Sequence, residues 1–259
     1  MFHRLKNPLR YPNDRSEAIN IILKHIPHNV SRIVSPFFAG GALEILLLNK
    51  GYKISGFTDY NNLYEFWACL LDSPHHLSDV AQHFYPIEDE DIFYLMQERI
   101  NDHSDIFIRA ALFYVINRCT EHGTVSAGKL MKGHPKFNEY GLQLLKTFKT
   151  DKLRVSRSSY PDVIETTNGF ILCCAPKYLP AGLVGNAVPT TPEKPQINHK
   201  YLCELLHAKR RWILLTEHHK NLIQMYEKCN IIYLNASYIK TKDKPSYILV
   251  TKGVQNANI

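Results

Sequence analysis

The chain has 259 residues, 45% of them hydrophobic, which suits one large α/β domain with an insertion, or two small domains, and excludes a globally disordered protein. A net charge of +7 suits a polyanionic partner without requiring one. The apolar run Leu43 to Leu48 is too short to span a bilayer, and Met1 to Lys6 lacks the apolar segment of a secretion signal. The expectation is an intracellular protein, cytoplasmic or nuclear, that is not secreted and has no membrane contact.

Short β-rich runs alternate with helical patterns from the start. Ser31 to Val34 reads as a strand that enters the turn Ser35-Pro36-Phe37-Phe38-Ala39-Gly40-Gly41, and Leu43 to Asn49 reads as a helix. Lys53 to Thr58 is a second strand and Asn61 to Leu71 a helix capped by Asn. Such a βαβα opening favours a parallel sheet with helices on its faces. From 77 to 148 the pattern is mainly helical: Asp89 to Ile100, Asp105 to Asn117 and Phe137 to Phe148, with a loop at Gly123 to Lys129. This block reads as an inserted helical lobe.

Alternation returns after Lys152. Strands are expected at Leu153 to Ser156, Phe170 to Cys174, Trp212 to Thr216, Asn230 to Leu234 and Tyr247 to Thr251, the last two pairing like a hairpin. Helices are expected at His199 to Ala208 and Lys220 to Lys228. Residues 181–198 are rich in Gly, Pro, Thr and Asn and read as a long loop. The domain division is therefore 1–76 with 152–259 as an α/β body, and 77–151 as the lobe.

The six cysteines, Cys69, Cys119, Cys173, Cys174, Cys203 and Cys229, form no Cys-x-x-Cys pair and read as reduced, buried thiols. The adjacent histidines His75-His76 and His218-His219 do not share a helix face, and no zinc-type spacing occurs, so no metal is expected. Gly40-Gly41 ends a strand and opens a helix, a place where backbone N–H groups can approach a ligand; an ordinary turn has the same composition. Asp59 at the tip of the second strand suits ribose hydroxyls, or a helix cap before Asn61. Lys129, Lys132, Lys136, Lys146, Lys149, Lys152, Arg154 and Arg157, interleaved with Phe137, Tyr140 and Phe148, suit a phosphate-tracking patch or a solvated helix face.

Five stretches in fixed order carry a family resemblance. They are Tyr11-Pro12-Asn13-Asp14-Arg15, Ser35 to Gly41, Asp59-Tyr60-Asn61, Ala110-Ala111-Leu112-Phe113-Tyr114-Val115-Ile116-Asn117-Arg118, and Ala175-Pro176-Lys177-Tyr178. Together they resemble the Dam-like DNA adenine-N6 methyltransferases. The resemblance implies a Rossmann-like, S-adenosylmethionine-dependent sheet with helices on both faces and an inserted helical target-recognition lobe. It implies cofactor contacts from Tyr11, Arg15, Pro36, Phe37, Gly41 and Asp59. It implies DNA as a partner and a nucleic-acid contact from Arg118 of the recognition-like helix; Lys129, Lys132, Lys136, Lys146 and Lys149 of the basic run are the further candidates for nucleic-acid contact.

The departures fall on the chemistry. The family's Asp-Pro-Pro-Tyr is Ala175-Pro176-Lys177-Tyr178 here, Ser35 stands for an acid, Ala39 for a glycine, and Ser159 for another acid. In the family, the Asp side chain and a Pro carbonyl accept hydrogen bonds from the amino group of a flipped adenine while the aromatic residue stacks on the base. Loss of one such contact typically costs ~3–4 kcal/mol, or about 10²–10³ in rate. An engineered Asp-to-Ala knockout would not carry the other changes, so the pattern reads as natural decay. Two readings remain. One is an inactive relative serving as a nucleic-acid-binding or structural subunit, paired with an active methyltransferase or another protein. The other is an active, or mutationally inactivated, adenine-N6 methyltransferase that keeps S-adenosylmethionine.

Overall fold

A computed structural model describes residues 4–11, 15–131, 136–178, 192 and 196–254. Its strands are β1 (Arg32–Ser35), β2 (Lys53–Thr58), β3 (Leu153–Arg157), β4 (Phe170–Cys174), β5 (Trp212–Glu217), β6 (Asn230–Leu234) and β7 (Tyr247–Lys252). They form one sheet in the order β3-β2-β1-β4-β5-β7-β6. The first five strands run parallel, and β7 is antiparallel to both β5 and β6. This is the Rossmann-like α/β sheet expected from the alternation of strands and helices.

The helices are α1 (Ile19–Leu23), α2 (Ala42–Asn49), α3 (Asn61–Asp72), α4 (Pro74–Gln82), α5 (Glu90–Glu98), α6 (Ile106–Cys119), α7 (Glu139–Lys146), α8 (Tyr160–Thr166), α9 (His199–His207) and α10 (Lys220–Met225). Period-two alternation sends β4 side chains to opposite faces of the sheet. Phe170 and Leu172 enter one core with α2, α3 and α6, whereas Ile171 and Cys173 enter a second core with α8, α9 and α10. Both faces are thus covered, which is why the central strands read as unbroken apolar runs.

The first core continues from the sheet into the helices between β2 and β3. Phe66 of α3 stacks on Tyr114 of α6 at 6.0 Å and meets Phe113 at 5.8 Å, and Tyr114 reaches Phe137 at 6.3 Å. Burial of each such ring contributes roughly 1.5–3 kcal/mol.

Two expectations need correction. The N-cap of α3 is Tyr60, without a side-chain cap, and Asn61 is the first helical residue. The Asn61 amide instead donates to Glu65 Oε1 at 2.9 Å, and its oxygen accepts from Arg157 at 3.0 Å. Phe137 and Phe148 lie in the core rather than on a surface patch, because both flank the amphipathic helix α7 and fold beneath it. All six cysteines are free thiols. Among the described residues no helix is long and apolar enough to cross a membrane.

Candidate cofactor and catalytic site

Strand order reverses between β1 and β4, and open α/β sheets bind ligands in the crevice beyond the carboxyl ends of the strands at such a point. Ser35 to Gly41 leave β1 here, and Ala175 to Tyr178 leave β4. The turn after β1 needs its glycines. Gly41 has φ of 75°, the left-handed region, and a Cβ on Gly40 would come within 2.3 Å of Tyr11 Cβ. Pro36 is buried, Phe37 packs on Tyr160 with centroids 5.0 Å apart, and Phe38 turns inward against Trp67. Asp59 is exposed at the end of β2 and does not cap α3.

The head of β1 holds a carboxylate that sequence reasoning missed. Glu44, in the first turn of α2, is buried and accepts a 2.7 Å hydrogen bond from Ser35 Oγ. The tight turn brings together two residues nine positions apart, so an acid stands beside the position where the motif has serine. Cys174, at the end of β4, feels both Glu44 and Arg15. Burial first, then the Glu44 carboxylate, push its thiol up to about 12, and the Arg15 guanidinium opposes them. Arg15 itself lies 4.7 Å from the centroid of the Tyr247 ring, in cation–π geometry, and reaches Tyr238 Oη at 3.4 Å. Acid and base thus flank the end of β4. Pro12, Asn13 and Asp14 lie outside the described residues.

The degenerate motif keeps its frame. Ala175 is buried and its N–H donates to Leu215 O at 3.1 Å, continuing the β4–β5 ladder. Its methyl group offers no acceptor to a base. Pro176 is half-buried and Lys177 is exposed. Tyr178 is held by the starts of two helices. Its hydroxyl accepts from Asn221 Nδ2 at 3.0 Å, and its ring meets His199 at 5.2 Å and His219 at 4.6 Å. His199 is only 3% exposed. Burial pulls its imidazole down to about 4; the nearby Pro176 carbonyl opposes this in part, short of a hydrogen bond of full geometry. The ring is therefore neutral near pH 7. His219 Nδ1 accepts from Asn221 N at 3.2 Å and caps α10. Adjacent histidine pairs carry no metal-site signal in sequence, and the packing part played by His219 had none either.

Ser159 serves a helix rather than a ligand. It caps α8, accepting from Asp162 N and donating to Asp162 Oδ2 at 2.6 Å.

A comparison with family models matches residues 15–164, more than half of the chain, to the family described as D12 class N6 adenine-specific DNA methyltransferase. The chain belongs to this family. A search of curated proteins returns no match. The D12 match includes the glycine turn, Glu44, Asp59 and the helical block, and stops short of Ala175 to Tyr178. D12 methyltransferases use S-adenosylmethionine and act on DNA, so the reversal point between β1 and β4 is the place in this D12 chain to test for cofactor fit.

Opposite charges stand at that point and suit a zwitterionic amino-acid end: Glu44 and Arg15 both act on Cys174 at the end of β4. Tyr11 packs against Gly40, and Trp67 and Phe38 against Gly41, so neither position admits a side chain. Among the described residues no group of three or more His, Cys, Asp or Glu side chains converges as a metal site.

The basic residues fall into different settings. Lys129, Lys136 and Lys149 are exposed, and Lys146 Nζ lies 3.6 Å from Asp79 Oδ1. Lys132 lies outside the described residues. Tyr140 is 55% exposed and its hydroxyl accepts from Lys6 Nζ at 2.6 Å. Arg118 does not face solvent. It is 9% exposed and donates to Lys136 O at 2.7 Å and Pro8 O at 3.3 Å.

Proposed function

We propose that this D12 chain binds DNA and does not transfer methyl groups at a family-like rate. The observation that carries the reading is Ala175, a buried methyl group at the end of β4 where the family motif has its acceptor. Adenine N6 is a poor nucleophile, because its lone pair is delocalised into the ring. Without an acceptor, the charge developing on nitrogen loses a stabilising partner worth ~3–4 kcal/mol. Tyr178 retains an aromatic face and Pro176 a carbonyl, so a base could still be stacked without being activated.

The same reading gives residues 77–151 the part of a target-recognition lobe on the α/β body. Lys129, Lys136 and Lys149 would meet phosphates, with Lys132 and Lys146 as further candidates, and Arg118 would hold the lobe's framework. S-adenosylmethionine, when bound, supplies an activated methyl group. Arg15 and Glu44 would hold its amino-acid end, Asp59 its ribose hydroxyls, and Pro36, Phe37 and Gly41 would shape the crevice beside Tyr11. A bound cofactor and a silent motif suit a subunit that works with an active methyltransferase or another protein.

The presence of Glu44 beside Ser35 favours a second reading, an active or secondarily inactivated adenine-N6 methyltransferase, since it restores the acid missing from the motif. A methyl-transfer assay on duplex DNA separates the two. The isolated chain is expected to give no turnover, and robust turnover would overturn the first reading. Activity gained on combining Ala175→Asp with Lys177→Pro would locate the defect in the motif and leave the cofactor crevice sound.

A further inference from the structure

Four exposed large apolar side chains, Tyr85, Ile92, Tyr94 and Leu95, fall within residues 85–95. Phe93 is fully buried and fixes the rotation of α5, so Ile92 and Leu95, three positions apart, form an exposed strip, and half-buried Met96 lies between that strip and Phe93. Ile92 is 53% exposed and Leu95 48%. A cavity of about 340 Å³ opens beside this strip, lined by Phe84, Pro86, Ile87, Glu88, Ile92 and Met96 among others. That volume lies at the lower end of the roughly 300–1,000 Å³ range of ligand sites.

Carboxylates predominate on the rim. Residues 74–98 contain Asp79, Glu88, Asp89, Glu90, Asp91 and Glu98 and neither Lys nor Arg, in a chain of net charge +7. Asp79 faces Lys146, and exposed Arg99 ends the strip at the close of α5. Asp89 is committed to the helix start, where its Oδ1 accepts from Asp91 N and Ile92 N. Asp91 and Glu98 are exposed on the turns flanking Leu95, Glu88 is exposed and lines the cavity, and Glu90 is exposed on the far side of the helix. A phosphate backbone is repelled here. No stretch outside the described residues carries a run of cations: residues 1–3, 179–191 and 255–259 hold no Lys, Arg, Asp or Glu, 12–14 hold Asp14, 193–195 pair Glu193 with Lys194, and the four residues 132–135 hold the single Lys132.

We propose that this face is a docking groove for an amphipathic, lysine- or arginine-rich helix of a partner protein. The apolar side chains of such a helix enter beside Ile92 and Leu95, and its cations meet the carboxylates of the rim, which set orientation and exclude acidic competitors.

The test uses the full chain and a synthetic helix carrying Leu at spacings of three and four with Lys elsewhere. A Glu-for-Lys version of the peptide is the control, and fluorescence anisotropy is read at low and high salt. The Lys peptide is expected to bind, more weakly at high salt. Combined Ile92→Ser and Leu95→Ser should weaken it by at least about tenfold, as removal of central anchors does. Combined Asp91→Lys and Glu98→Lys should weaken it similarly and flatten the salt response. All four positions are exposed, and an unchanged thermal midpoint separates lost binding from lost folding. Equal binding of the Glu peptide, or unchanged binding by the Ser variant, overturns the proposal. Self-association of the chain that Ile92→Ser abolishes would assign the face to a second copy instead.

Discussion

Glu44 and Ser35 behave as one unit at the head of β1, since the hydroxyl donates to the carboxylate. Glu44→Gln keeps the shape and removes the charge. It is expected to lower the affinity for S-adenosylmethionine at least about tenfold, the scale of a charge-assisted hydrogen bond. Adding Ser35→Asp to that variant moves the charge back to the motif position and should recover binding, which calorimetric titration reads directly. A merely structural Glu44 would not be rescued in this way. His199 gives a second prediction, in pH. Its folded value, about 4, lies below the model-peptide value of 6.5. The unfolded chain therefore binds the proton more readily between those values. The stability of the native state should be unaffected by this residue above pH 6.5 and should fall as pH drops from about 6.5 toward 4, by roughly 3 kcal/mol at most. His199→Phe should flatten that limb of the denaturation midpoint against pH.

Helix α6 shows how a motif can be architectural. Asn117 is fully buried; its Oδ1 accepts from Arg10 N at 2.9 Å, and its Nδ2 donates to Gly123 O at 2.8 Å and to Arg10 O. Arg118 does similar work with Pro8 and Lys136. The pair ties the N-terminal segment to the helical block just before Tyr11 meets Gly40. Asn117→Ala leaves buried backbone groups without partners and should cost about 3 kcal/mol, seen as a lower urea midpoint at unchanged slope. Sequence patterning placed β2, β4 and β6 at their observed ends, because buried or half-buried strands have sharp apolar boundaries. It passed over α4, whose two histidines and leading Pro74 obscure an amphipathic helix with proline at its first position. It also passed over α8, although Ser159-Tyr160-Pro161-Asp162 carries a cap with an acid three residues on. At the site, the glycine turn and the altered motif after β4 were legible as linear strings. Glu44, His199 and Asn221 were not, since each gains its part only from a neighbour distant in sequence or across a turn. Arg118 misled, because a basic residue in a recognition-like helix looks the same in sequence whether it faces phosphate or two carbonyls.

For the molecule as a whole, charge is unevenly divided. Lys129, Lys136 and Lys149 are exposed cations that the proposed DNA contact uses, whereas residues 74–98 hold six carboxylates and neither Lys nor Arg. Replacing those three lysines with Ala should weaken binding about equally for all duplex sequences. The slope of log affinity against log salt should fall by about one for each phosphate contact removed. Electrophoretic or anisotropy titrations across a salt series check this, and an unchanged slope would remove these lysines from the interface. The antiparallel insertion of β7 between β5 and β6 has a consequence for synthesis. On the ribosome, β6 has no place in the sheet until residues 247–252 have emerged, and β5 shows an unpaired edge for the same interval. Completion of the sheet thus waits on β7, the last of the seven strands in chain order, and a nascent chain stalled between β6 and β7 presents two strand edges that only β7 is built to close.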